Sequence, residues 1–217
     1  MPIVLSDVVS AVEARVLHDA AAALPFEDGA KTAGRTARAV KDNQQGKPGP
    51  ETNAVLDKVK AAMLAHPVLQ AVAYPKGFAG MMVTRTEGGG QYGDHVDNAL
   101  MAGRRTDVSF TLFLSEPGSY DGGALTIADR VEERQFKLGQ GEMVVYPSTT
   151  LHRVEPVTRG ARLVVVGWIT SWVRDAGQRE VLFDLWQALA GAEAAGDADQ
   201  VQRISKARSN LLRMWVT

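Results

Sequence analysis

Three side chains in the sequence could hold a metal ion together: His95, Asp97 and His152. In an extended strand, residues i and i+2 point to the same side, so His95 and Asp97 can reach one ion. His152, arriving from a distant strand, would complete a set of two histidines and one carboxylate. This set leaves half of an octahedron open, which suits the oxygen chemistry of non-haem Fe(II). The spacing therefore predicts an iron site for oxygen activation.

Arg162 follows His152 closely and predicts a second binding group. If residues 158–160 form a hairpin loop, Arg162 faces the same side of the sheet as His152, on the neighbouring strand. The predicted offset is roughly 13 Å along the strand, at about 3.3 Å per residue. A small dicarboxylate could then chelate the metal at one end and meet the guanidinium fork at the other. The alternative is an ordinary surface arginine near a turn.

The composition restricts the kinds of site that the chain can build. It has 217 residues, of which 45% are hydrophobic and 23% charged, as in an ordinary globular protein. It has no cysteine, which excludes disulfides and thiolate metal sites, so a metal must use histidine or oxygen ligands. The net charge of -1 gives no general reason to expect a nucleic-acid partner.

The first residues predict neither a secretion signal nor a membrane anchor. They lack a basic region, and Asp7, Glu13 and Arg15 interrupt the apolar pattern. Apolar stretches elsewhere are too short to cross a membrane. We therefore expect a cytoplasmic protein without a membrane partner.

The order of elements predicts a mainly β fold with flanking helices. Helical spacing over about 6–24 and 51–65 indicates an N-terminal helical support region, 1–77. Short strands with Gly-rich turns over 78–175 are typical of an antiparallel barrel or double-sheet jelly roll. Residues 176–217 have two apolar stripes and predict a C-terminal helical hairpin, which could form a homodimer or cap the barrel.

Two tyrosines stand next to the predicted ligands. Tyr92 precedes His95 and Tyr146 precedes His152. Both are candidates to line the site and contact a cosubstrate, and packing in the core explains them equally well.

Several stretches resemble the Fe(II)- and 2-oxoglutarate-dependent dioxygenases, specifically the prolyl-4-hydroxylase-like branch and its PKHD-type hydroxylases. The matching stretches are HVDNAL, RTDVSFTLFLS, YDGGALTI, GEMVVYPSTTLHRVEPVTRGARL and WITSWVRD. The resemblance runs from about Met81 to Asp175 and implies a double-stranded β-helix, or jelly-roll, core. It also implies that His95, Asp97 and His152 hold Fe(II), and that Arg162 binds the distal carboxylate of 2-oxoglutarate.

The reaction that this resemblance implies is a hydroxylation by O2. Oxidative decarboxylation of 2-oxoglutarate to succinate and CO2 accompanies it, and ascorbate is a candidate reductant. The substrate is an unidentified small molecule or peptidyl residue. Asp97 favours hydroxylation, because related halogenases have a small residue in place of this carboxylate.

One position departs from the family pattern. Many relatives have a tyrosine nine residues before the first ligand, where this chain has Thr86. A threonine hydroxyl can still donate a hydrogen bond, but its reach toward a cosubstrate is shorter.

Two other hypotheses use the same ligands. A non-enzymatic jelly-roll protein that binds or senses iron would hold Fe(II) without consuming 2-oxoglutarate. A Zn(II) hydrolase ranks last, because the sequence supplies no evident general base.

Overall fold

The computed structural model describes residues 2–32, 38–128 and 131–217, and two antiparallel sheets form its centre. The strands are β1 (Ile3–Leu5), β2 (Phe26–Asp28), β3 (Lys41–Asp42), β4 (Gln44–Gly46), β5 (Pro75–Glu87), β6 (Gln91–His95), β7 (Leu100–Met101), β8 (Arg104–Arg105), β9 (Val108–Phe113), β10 (Asp121–Gly122), β11 (Leu125–Ala128), β12 (Glu133–Phe136), β13 (Met143–Pro147), β14 (His152–Val154), β15 (Val157–Arg159) and β16 (Ala161–Ser171). The helices are α1 (Ala11–Ala22), α2 (Pro50–Ala65), α3 (Pro67–Ala73), α4 (Ala176–Ala194) and α5 (Ala198–Trp215), and Gly29–Thr32 forms a 3-10 turn.

The larger sheet has the strand order β1-β13-β9-β16-β5-β4-β2 and is called the major sheet. The smaller, the minor sheet, has the order β12-β11-β14-β6-β3. Two short ribbons, β7-β8 and β10-β15, complete the strands that the structure describes. This double-sheet arrangement with flanking helices confirms the jelly-roll prediction.

The two faces of the major sheet have different partners. Along β16, Leu163 and Val165 belong to the large core shared with helices α1, α2 and α3. Val164, between them, belongs to a second core that joins residues of both sheets. Because side chains alternate along a strand, Arg162 shares the face of Val164 and points between the sheets.

The N-terminal residues do more than supply helices. Strand β1 extends one edge of the major sheet, β2 and β4 extend its other edge, and β3 joins the minor sheet. The predicted helix over 6–24 starts late, at Ala11. Ser10 caps the N-terminus of this helix with a capping box. Its hydroxyl accepts from Glu13 N–H, and its own N–H donates to the Glu13 carboxylate.

The C-terminal hairpin is confirmed: α4 packs against α5, and residues 195–197 join them. An isolated bridge between Val173 and Val216 fastens the end of the hairpin to the end of the strands. Among the residues that the structure describes, every helix is too short or too polar to cross a bilayer.

The prediction that His152 and Arg162 lie on neighbouring strands of one sheet is wrong. His152 lies in β14, between β11 and β6 of the minor sheet, whereas Arg162 lies in β16, between β9 and β5 of the major sheet. The intervening β15 pairs with β10 instead of folding back on β14. The chain therefore crosses between sheets, and the two side chains face each other across the interior.

Gly160 makes this crossing possible. Its φ is +69°, and a Cβ on it would collide with the backbone oxygen of Ser119. An alanine in the left-handed conformation costs about 1–2 kcal/mol. We expect Gly160→Ala to lower the free energy of unfolding by more than this, because its Cβ would also collide with Ser119. Gly196→Ala is the matched control, because Gly196 also has a φ of +69° but nothing within 4 Å of its Cβ position. Urea denaturation measures both, and equal losses would contradict a close approach at Gly160.

Candidate metal and cosubstrate site

The three predicted metal ligands meet in the space between the sheets. His95, at the end of β6, pairs in register with His152, at the start of β14. One ligand atom from each of His95, Asp97 and His152 lies within 4.8 Å of the others. Asp97 Oδ2 is 3.8 Å from His152 Nε2, and the two imidazole centroids are 4.2 Å apart. One ion could contact all three residues.

Backbone carbonyls orient both imidazoles. His95 Nδ1 lies 2.8 Å from Gly93 O, and His152 Nδ1 lies 2.9 Å from Thr150 O. A carbonyl oxygen only accepts, so each Nδ1 carries the proton and each Nε2 keeps a lone pair for a metal. Burial, and then the nearby His152, lowers the pKa of His95 to about 4. His95 is therefore neutral near pH 7, as metal ligation requires.

Two serines that sequence reasoning missed hold the carboxylate. Ser109 donates its hydroxyl to Asp97 Oδ2 at 2.6 Å. Ser148 Oγ lies 2.8 Å from Ser109 Oγ, and because the single Ser109 proton goes to Asp97, Ser148 donates in this pair. The sequence of β9 contains a signal for Ser109. From Val108 to Leu112 polar and apolar residues alternate, and the polar ones face the space between the two sheets.

A cavity of about 160 Å³ between the sheets connects the three ligands with Arg162. Arg162 is only 2% exposed, and among the described residues its Nε has no hydrogen-bond partner. A buried arginine with an unpaired N–H is unfavourable unless an acceptor reaches it. The cavity therefore has metal-ligating groups along one wall and an unpaired cationic donor at Arg162.

Thr86 stands beside this arginine. In the β5–β16 register it pairs directly with Arg162, and it is 2% exposed. The departure from the family pattern thus falls next to the guanidinium and within the lining of the cavity.

Both candidate tyrosines line the cavity. The Tyr92 ring stacks on His95 with centroids 3.6 Å apart, and burial together with Asp97 raises its pKa to about 12. Tyr146 meets the edge of His152 at 5.1 Å and also belongs to the core between the sheets. Burial raises the pKa of Tyr146 well above its usual range, so both phenols stay protonated. Their direct contact with a cosubstrate stays a prediction.

Lys41 is a further cavity residue that sequence reasoning missed. Its Nζ lies 5.2 Å from the Tyr92 ring centroid. Burial lowers its pKa to about 8, against the opposing effects of Asp28 and Asp97. It stands in a polar stretch whose sequence shows no strand periodicity, so its inward position follows only from the pairing of β3 with β6.

The chain is similar to known proteins over most of its length. The sequence model of the 2OG-Fe(II) oxygenase superfamily matches residues 81–170, which include the three predicted metal ligands and Arg162. A PKHD-type hydroxylase of Maricaulis maris is 47% identical over 191 residues, covering 88% of this chain and 87% of that protein. One of Acaryochloris marina is 43% identical over 218 residues, covering 99% of each.

Solved structures share the fold. A Pseudomonas putida prolyl-4-hydroxylase aligns with a TM-score of 0.53 at 21% identity, covering 78% of this chain and 92% of that one. A viral collagen prolyl hydroxylase from Paramecium Bursaria Chlorella virus-1, solved as its 2OG complex, aligns with a TM-score of 0.54 at 19% identity, covering 78% and 96%. The architecture around the cavity is thus one that is known in solved proteins.

The serine pair generates a prediction about metal affinity. We expect Ser109→Ala to weaken Fe(II) binding about 10-fold, because groups that orient a metal ligand typically contribute about 10- to 100-fold. Anaerobic titration with Fe(II) measures the affinity. Ser171→Ala is the control, since Ser171 is also fully buried but its hydroxyl contacts only backbone groups elsewhere. Equal affinities in the two variants would show that Ser109 does not orient Asp97.

Proposed function

The chain belongs to the 2OG-Fe(II) oxygenase superfamily and, within it, to the PKHD-type hydroxylases, and we propose that His95, Asp97 and His152 hold its iron. The protein is a 2-oxoglutarate-dependent hydroxylase. We further propose that Arg162 binds the distal carboxylate of 2-oxoglutarate, and that the substrate is a small molecule or a peptidyl residue.

One observation carries this proposal. The buried imidazole of His152, the half-buried imidazole of His95 and one carboxylate share a cavity with a buried guanidinium that has an unpaired N–H. The donor set fits Fe(II), and the planar guanidinium fits a carboxylate through two parallel hydrogen bonds. A ligand with a chelating end and a distal carboxylate satisfies both groups at once.

The residues of the chain position and protect the reactants. The Gly93 and Thr150 carbonyls fix the two imidazoles, and Ser109 fixes Asp97. Arg162 would orient the cosubstrate along the cavity, and the apolar side chains between the sheets exclude water from it. When bound, the iron and 2-oxoglutarate supply the oxygen activation, by oxidative decarboxylation to succinate and CO2. Ascorbate as reductant, a homodimer through α4 and α5, and a cytoplasmic location remain predictions.

The metal assignment predicts that two variants lose iron-dependent activity. We expect His95→Ala and Asp97→Ala each to abolish Fe(II)-dependent conversion of 2-oxoglutarate to succinate, because each deletes one of three ligands. Anaerobic Fe(II) titration and succinate formation are the measurements. His18→Ala is the control, since His18 contacts Asp19 on helix α1 and lies outside the cavity lining. Unchanged turnover in either variant would remove the assignment.

The cosubstrate assignment predicts a separate effect. We expect Arg162→Ala to raise the 2-oxoglutarate requirement about 10- to 100-fold, because a charge-assisted pair contributes about 1.5–3 kcal/mol. Fe(II) affinity should stay unchanged. The measurement is the visible charge-transfer band during anaerobic titration of the Fe(II) protein with 2-oxoglutarate. Arg159→Ala is the control, because Arg159 is exposed and pairs with Asp121.

The same titration tests the competing function. An intact protein that binds Fe(II) but develops no 2-oxoglutarate-dependent band, and forms no succinate, would be an iron-binding or iron-sensing protein. An Arg162→Ala variant with an unaltered 2-oxoglutarate requirement would reject the role of Arg162 alone.

A further inference from the structure

We propose that Tyr120 is a positioning residue for the cosubstrate, whose hydroxyl accepts an N–H of Arg162 when a carboxylate is bound and so aligns the guanidinium with the cavity. The inference rests on the proposed function, since it assumes that Arg162 binds the distal carboxylate of 2-oxoglutarate. Tyr120 does not line the cavity and is fully buried behind it.

The glycine at position 123 shows how closely Tyr120 and Arg162 pack. A Cβ on Gly123 would lie 3.0 Å from Tyr120 Cε2 and 3.1 Å from Arg162 Cδ. The phenol ring and the aliphatic stem of the arginine therefore pack around the same glycine. The phenol and the guanidinium also affect each other electrostatically: burial raises the pKa of Tyr120, and the Arg162 cation opposes that rise.

Neighbouring groups keep Tyr120 in place. Lys137 Nζ lies 4.2 Å from the centroid of its ring and donates to Tyr120 O at 2.7 Å. On the other side, a Cβ on Gly160 would lie 3.0 Å from Tyr120 Cα. The Tyr120 backbone is thus held at two points and its ring lies against Lys137, so the ring can act as a support for the flexible Arg162 side chain.

Hydrogen-bonding capacity points to a role for the hydroxyl beyond packing. Among the described residues, Tyr120 Oη and Arg162 Nε are both buried without a hydrogen bond of good geometry. A guanidinium only donates, whereas a phenol oxygen can accept. A buried polar group without a partner is unfavourable, and these two are close enough that a hydrogen bond between them contributes to the pKa of Tyr120. A carboxylate at Arg162 would pull the guanidinium into line, and Tyr120 Oη is the acceptor available on its other side.

The test uses Tyr120→Phe, which keeps the ring and removes only the hydroxyl. The Fe(II) protein is titrated anaerobically with 2-oxoglutarate and, separately, with pyruvate, which has the 2-oxo carboxylate but lacks the distal one. We expect the Kd for 2-oxoglutarate to rise about 5-fold, as the loss of one hydrogen bond of about 1 kcal/mol implies. The Kd for pyruvate should not rise, and neither the Fe(II) affinity nor the melting temperature should fall.

Tyr74→Phe is the matched control. Tyr74 Oη accepts from Arg208 Nε at 3.3 Å, so this variant also removes a tyrosine–arginine contact, but outside the cavity lining. It should bind both ligands like the parent protein. In an Arg162→Ala background, Tyr120→Phe should have no further effect on 2-oxoglutarate binding, because the two residues act as one unit.

Two results would overturn the inference: an unchanged Kd for 2-oxoglutarate in Tyr120→Phe, or an equal loss for 2-oxoglutarate and pyruvate, which indicates general packing. The Arg162→Ala variant separates this failure from that of the proposed function. If Arg162→Ala weakens 2-oxoglutarate binding and Tyr120→Phe does not, only the role of Tyr120 fails. If Arg162→Ala leaves it unchanged, the assignment of the distal site fails as well.

Discussion

The burial of the Arg162 guanidinium between two sheets is the constraint on which the site depends. A buried cation with an unpaired N–H is unfavourable, and the same cavity is also lined by two imidazoles and a carboxylate. The fold tolerates this because the opposite face of the major sheet buries a large apolar core against the helices. One face of that sheet thus stabilises the molecule, while the other turns Arg162 toward the proposed metal ligands, whose two histidines lie on the minor sheet.

Hydrogen bonds within the chain hold the side chains of the site in their arrangement. Backbone carbonyls fix the tautomer of both histidines, and a serine pair fixes the carboxylate. The carbonyls belong to the residues two positions before each histidine, and the serines lie in β9 and directly after β13. Groups that orient metal ligands in this way typically contribute to metal affinity, so we expect the supporting residues to affect Fe(II) binding.

Sequence reasoning about Arg162 reached the right cavity through the wrong topology. It treated the residues after His152 as one hairpin, because a glycine and two strand-like runs fit that pattern. In the structure β15 finds its partner in β10, and the chain crosses to the major sheet. Arg162 still faces inward because the alternation along β16 is local and does not depend on which sheet the strand joins. The register also sets Thr86 directly beside it.

The sequence by itself determined the residues proposed as metal ligands, the jelly-roll class and the helical hairpin, because residue type and periodicity are local properties of a helix or strand. Only the tertiary structure decided that Arg162 faces the metal ligands across two sheets, that Ser109 supports Asp97, and that Tyr120 packs behind Arg162. Those relations join residues that are distant in the chain. Strand pairing between remote segments sets them, and no spacing in the sequence records which strands will pair.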